Sequence, residues 1–176
     1  MQDIKFSINS NENDNNSHLK LKFWSPPVKH FPSIVTFIIA LSISALTHSE
    51  TFEVQMLNQG TDGVMVFEPS TLQIAVGDTV TFKPSNPGHN SASIAGMIPT
   101  GAESWDSGMS QEITITFTEE GTYVYQCTPH LMMAMVGVIT VGNPETNLNS
   151  VKEVAVETKA SFMMAQDRLD GYLEGL

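Results

Sequence analysis

A chain of 176 residues can bury one sizeable core, so a single main domain is expected, and 41% hydrophobic content is ordinary for a globular protein. The formal net charge of −11 argues against non-specific nucleic-acid binding and suits either a positively charged partner or an acidic exterior kept for solubility. One cysteine excludes an intrachain disulfide.

Residues 1–33 are expected to be a disordered polar extension, because Met1 to Ser25 is asparagine-rich and shows no hydrophobic period. Lys20, Lys22 and Lys29 then precede the uncharged run Ile34 to Leu46. A positive flank, a short apolar run and small residues describe a secretory signal peptide, whose hydrophobic region is placed at 34–49. The run falls short of the ~20 residues of a membrane span, so cleavage between Ala45 and Glu50 and a periplasmic domain free of the membrane are expected, with a retained N-terminal anchor as the alternative. From Glu50 onward four basic residues (Lys83, Lys152, Lys159, Arg168) face sixteen acidic ones.

The region 50–142 reads as short strands and turns. Phe52, Val54 and Met56 alternate with polar residues, as do Leu72, Ile74 and Val76. Gly77-Asp78 marks a turn, and Thr79 to Phe82 resumes extended chain. Asn90 to Ser110, with three glycines and a proline, is expected as a long crossing loop. Ile113, Ile115 and Phe117 alternate next. In the following strand Tyr123, Tyr125 and Cys127 share parity, which would point the thiol inward beside two aromatic rings. Val136 to Val141 supplies a last strand. These spacings predict a mainly β, antiparallel sandwich. In 143–176 the period changes: Leu148, Val151 and Val154, then Phe162, Ala165, Leu169 and Tyr172 over Thr158 to Leu173, predict two C-terminal helices on the sandwich.

The chemistry concentrates in Cys127-Thr-Pro-His-Leu-Met-Met-Ala-Met135, which holds the sole thiol, an imidazole and three thioethers. Thiolate and thioether select soft metals, and imidazole suits copper and zinc. A trigonal His₂Cys set with a weak axial methionine is the arrangement of a blue-copper electron-transfer centre, and it needs a second histidine. After Glu50 only His89 and His130 remain, and His89 sits on the turn Asn86-Pro-Gly-His-Asn90. Taken singly, His89 reads as a surface residue, Cys127 as inert core and the methionines as gap-fillers. Together they favour one site. A structural zinc site wants four Cys/His ligands and the exported region offers three. Catalysis by a Cys127 thiolate leaves the methionines unexplained, and no Walker, HExxH or GxSxG motif occurs, so no enzyme activity is expected.

From Thr51 to Leu176 the chain resembles the pseudoazurins, blue-copper proteins of the cupredoxin family. The resemblance is carried by Phe52 to Asn58, Met65-Val-Phe-Glu-Pro69, Gly77 to Phe82, Gly88-His-Asn90, Gly96-Met-Ile-Pro99 with Gly101-Ala-Glu103, and the C-x₂-H-x₄-M spacing of Cys127, His130 and Met135. It implies a Greek-key β-sandwich with one type 1 copper per chain at one end. The implied ligands are His89, Cys127, His130 and an axial Met135, with Asn90 tying its loop to the Cys127 loop. The implied electron-transfer patch is Pro129, His130, Leu131 and Met133. The implied role is a monomeric, exported electron carrier that binds its redox partner transiently. Pseudoazurins carry a ring of lysines that docks nitrite reductase; with so few basic residues here, a c-type cytochrome stands beside nitrite reductase as the expected partner. Copper delivery or buffering is the alternative, suggested by Met109, Met132 and Met133.

Overall fold

A computed structural model describes residues 48–176. The polar extension and most of the signal-peptide region expected above lie outside these residues. Two four-stranded sheets form the body. One has the order β2-β1-β4-β6, built from β1 (Thr51–Gly60), β2 (Gly63–Glu68), β4 (Thr79–Lys83) and β6 (Ile113–Thr116). The other has the order β3-β8-β7-β5, built from β3 (Thr71–Ile74), β8 (Val136–Val141), β7 (Gly121–Gln126) and the short β5 (Ala92–Ser93).

After the β1–β2 hairpin the chain alternates between sheets up to β7, giving the Greek-key sandwich that was expected. That path corrects one expectation. The sandwich is not wholly antiparallel, because β1 pairs with β4 and β3 pairs with β8 in parallel. A strand that returns after crossing to the opposite sheet has no tight turn forcing it to reverse beside its neighbour. Strand β2 went unread, although Gly60-Thr-Asp-Gly63 carries the turn chemistry of a hairpin. The crossing loop also contains β5, whose Ala92 bridges Asp106.

The alternating residues do converge. Val54, Met56, Phe67, Val80 and Phe82 of the first sheet pack on Ile74, Tyr123, Tyr125, Ile139 and Val141 of the second. Cys127 and Met135 belong to this same cluster. Val76, grouped with this pattern, is instead exposed.

A second core lies on the outer face of β7 and β8. There Val124, Val136 and Val138 meet Leu148, Val151 and Ala155 of α1 (Leu148–Lys159), Phe162, and Leu169 and Leu173 of α2 (Arg168–Leu173). This cover explains why β8 reads as an almost unbroken apolar run. Asn147 fixes the start of α1: its Oδ1 accepts from the Thr122 N–H and its Nδ2 donates to the Thr122 oxygen, both at 2.8 Å.

The second helix is shorter than its apolar period predicts. Phe162 packs into the core from a turn, not from a helix. Helical geometry cannot run through Ala165, which has φ +47°, and the Met163 N–H is taken by the Met132 oxygen at 2.8 Å. Among the described residues no helix is long and apolar enough to cross a membrane.

Candidate metal centre

Strand β7 delivers Cys127 with the parity of Tyr123 and Tyr125, fully buried. Thr128–Met133 then forms a short 3-10 segment, with Pro129 in its first turn. This tight segment brings His130 back over the thiol, so that its Nδ1 lies 3.3 Å from Cys127 Sγ. The His130 N–H donates to the Cys127 oxygen at 3.0 Å, and the Cys127 N–H donates to the Met135 oxygen at 2.9 Å. Met135, at the end of the loop that starts at Cys127, is fully buried. Ala134 before it adopts a left-handed φ of +54°, a conformation that costs an L-residue roughly 1–2 kcal/mol.

His89 arrives from the other sheet. Gly88, with φ +92°, makes the turn that an L side chain would strain, and His89 itself is fully buried. Its Nε2–H donates to Asn58 Oδ1 at 2.8 Å, which leaves the Nδ1 lone pair free. That Nδ1 lies 3.6 Å from Cys127 Sγ and 3.1 Å from His130 Nδ1. Backbone contacts hold the loop as well: the Ser110 N–H donates to the His89 oxygen at 2.7 Å, and the Gly88 N–H donates to Ser110 Oγ at 2.8 Å.

Asn90 spans the two loops. Its Oδ1 accepts from the Thr128 N–H at 2.8 Å, while its Nδ2 donates to Thr128 Oγ1 and Asp106 Oδ1, each at 3.0 Å. That Asn90 bond and the Gly108 N–H together hold the Asp106 carboxyl below its usual range. Sequence reasoning missed Asn58, Asp106 and Ser110. Each reaches the site across a distance in sequence that no local motif encodes. An Asn90→Ala chain is expected to unfold about 2 kcal/mol more easily, because three side-chain hydrogen bonds at ~0.5–1.5 kcal/mol each are lost and partner groups are stranded. Urea denaturation of the metal-free protein measures this.

The donor set fits a bound ion. A triangle with sides of 3.1, 3.3 and 3.6 Å has a centre about 2 Å from each corner, the reach of a metal–nitrogen or metal–sulfur bond. Burial lowers the His89 pKa, helped by the nearby His130, and so keeps the imidazole neutral with its lone pair available. Burial also pushes the Cys127 thiol up, partly offset by the N–H groups of Asn90 and His130 that face the sulfur. A cation at the centre would repay ionising that thiol. Among the described residues this is the one cluster of three or more His, Cys, Asp or Glu donors able to hold a metal.

The expected transfer patch divides. Pro129 is exposed and His130 half-buried, whereas Leu131, also half-buried, leans on the helix-side core. Met133 is half-buried, and Met132 beside it is 52% exposed.

Residues 54–142 match the family of copper binding proteins described as plastocyanin/azurin. A putative pseudoazurin of Rhizobium leguminosarum bv. viciae is 40% identical over 147 residues, which cover 84% of this chain and 93% of that protein. The pseudoazurin of Paracoccus pantotrophus is 38% identical over 133 residues, covering 76% and 88%. Among solved structures, pseudoazurin from Methylobacterium extorquens AM1 is similar with a TM-score of 0.64 at 37% identity, covering 70% of this chain and 96% of that one. Family match, two-sheet sandwich and His-Cys-His triangle agree: the chain belongs to the plastocyanin/azurin family of copper-binding proteins, on its pseudoazurin branch.

Proposed function

We propose that this protein is an exported electron carrier with one type 1 copper, held by His89, Cys127 and His130, with Met135 as the axial ligand. The supporting observation is the asymmetry of burial: His89, Cys127 and Met135 are closed off from solvent, and His130 alone reaches toward it. Copper, when bound, supplies a one-electron Cu(II)/Cu(I) couple. The chain supplies a rigid frame. His89 is held by Asn58 and by the Ser110 amide, and the Cys127 loop is held by Asn90, so the donors keep their places when the charge changes and little energy goes into reorganisation. His130, following the exposed Pro129, is the edge through which electrons enter and leave.

The carrier reading implies no catalytic turnover. Its partner is a redox protein that binds transiently, either a nitrite reductase or a c-type cytochrome. The acidic balance from Glu50 onward favours a partner with a basic docking face, met by the acidic surface of a single copy of this chain. Export to the periplasm rests on the lysine-flanked run at 34–46. Stopped-flow electron transfer across a salt series tests the docking: the rate should fall several-fold between about 10 mM and 300 mM salt as the Debye length shrinks from ~30 Å toward a few ångströms. A flat response would remove charge from the recognition.

Redox cycling separates this reading from copper delivery. A carrier returns the same copper-bound spectrum after many oxidation and reduction cycles. A delivery protein surrenders its reduced metal to a chelating acceptor.

A further inference from the structure

The chain has one arginine, and it is not spent on an ion pair of its own helix. Arg168 stands at the first position of α2, where a cation faces the unfavourable end of the helix dipole. Its guanidinium instead reaches five backbone oxygens on two other segments. Nη1 donates to Ala134 at 2.9 Å, to Met65 at 3.0 Å and to Met133 at 3.4 Å. Nη2 donates to Asp62 at 3.1 Å and to Val64 at 3.3 Å. Two of these oxygens belong to the residues immediately before Met135, and Ala134 is the left-handed one. The Ala134 oxygen thus accepts from Arg168 as well as from the Val136 N–H. The other three lie on the β1–β2 hairpin of the first sheet.

We propose that Arg168 is the positioning residue for Met135: by bolting the Met133–Ala134 carbonyls to the β1–β2 hairpin, it sets where the methionine enters the metal centre. The role rests on the axial assignment made above. It links the C-terminal helix to a site whose donors lie on other segments. It also calls for arginine in particular, because a planar fork with five donors can hold several carbonyls at once and a lysine ammonium cannot.

The test compares Arg168→Met and Arg168→Lys with Tyr172→Phe. Tyr172 donates from the same helix to Asp62 Oδ2 at 2.8 Å, so its loss loosens α2 on the hairpin without releasing a copper-loop carbonyl. The first readout needs no metal. Amide exchange at Cys127, Met135 and Val136 in metal-free protein should quicken at least tenfold in Arg168→Met, with β4 unchanged. It should quicken less in Arg168→Lys and stay at wild-type rates in Tyr172→Phe. The second readout is the Cu(II)-loaded spectrum, in which Arg168→Met alone should change the relative intensities of the thiolate charge-transfer bands.

Wild-type exchange at all three amides in Arg168→Met overturns the proposal, whatever the metal does. So does equal quickening in Tyr172→Phe, which would make Arg168 one more anchor for the helix. A wild-type protein without a blue spectrum sinks the copper reading instead, and is recognised as such before any variant is compared.

Discussion

Cys127→Ser is expected to abolish the intense visible absorption of the Cu(II)-loaded protein and to weaken copper binding by at least ~100-fold. The magnitude follows from a lower bound: removing a group that merely orients a ligand already costs about 10–100-fold in metal affinity, and here a ligand itself is lost. A serine hydroxyl is close in size to the thiol, so packing beside Tyr125 and Met135 is little disturbed. It is nevertheless a hard, weakly acidic donor, and it cannot supply the soft thiolate that distinguishes this centre. Far-UV circular dichroism and the denaturation midpoint of the metal-free variant should match wild type closely. Visible spectroscopy of residues 50–176 during Cu(II) titration makes the measurement. A strong band surviving in the serine variant would mean that sulfur is not the ligand, and the type 1 assignment would go with it.

Phe82→Ala is expected to destabilise the protein by about 3–5 kcal/mol, the cost of emptying a buried aromatic site. Phe82 is fully buried at the meeting of the two sheets. Its ring meets Tyr125 edge-on at 4.9 Å and stacks with Trp105 at 5.9 Å. Tyr125 in turn meets Phe67 at 4.7 Å, so one truncation loosens several rings around the strand that delivers Cys127. Against a typical domain stability of ~5–15 kcal/mol this is a large fraction, and Tm should drop by roughly 10–20 °C. Val156→Ala on the exposed side of α1 serves as control and should shift stability by less than about 0.5 kcal/mol. A Phe82→Ala loss below about 1 kcal/mol would show that the sheets close over the gap, and that the aromatic cluster does not set the spacing of the metal loops.

Much of this was readable from residue order. The parity of Tyr123, Tyr125 and Cys127 gave the thiol's direction, because side chains alternate across a strand whatever it pairs with. The residue count also led to His89, since from Glu50 onward no histidine but His89 and His130 remains. What failed to show was pairing. The parallel partners of β1 and β3 leave no mark on their own sequences, because alternation looks the same beside a parallel or an antiparallel neighbour. Helix length misled for a related reason: Phe162 obeys a helical period yet is buried from a turn, because its position is decided by the cavity it fills and not by local dihedrals.

The sequence by itself determined the donors of the candidate site, one thiol and two imidazoles with a methionine proposed beside them, on strands and loops whose hydrophobic pattern demands a sandwich. Those properties depend on residue identity and near-neighbour periodicity, which a linear chain carries in full. Only the tertiary structure decided how the donors are held. Asn58 on His89, Asp106 on Asn90, and Arg168 on the carbonyls before Met135 are contacts between segments 16 to 35 residues apart. Their energy exists only once the apolar faces of two sheets and two helices have closed and brought unrelated polar groups within hydrogen-bonding distance.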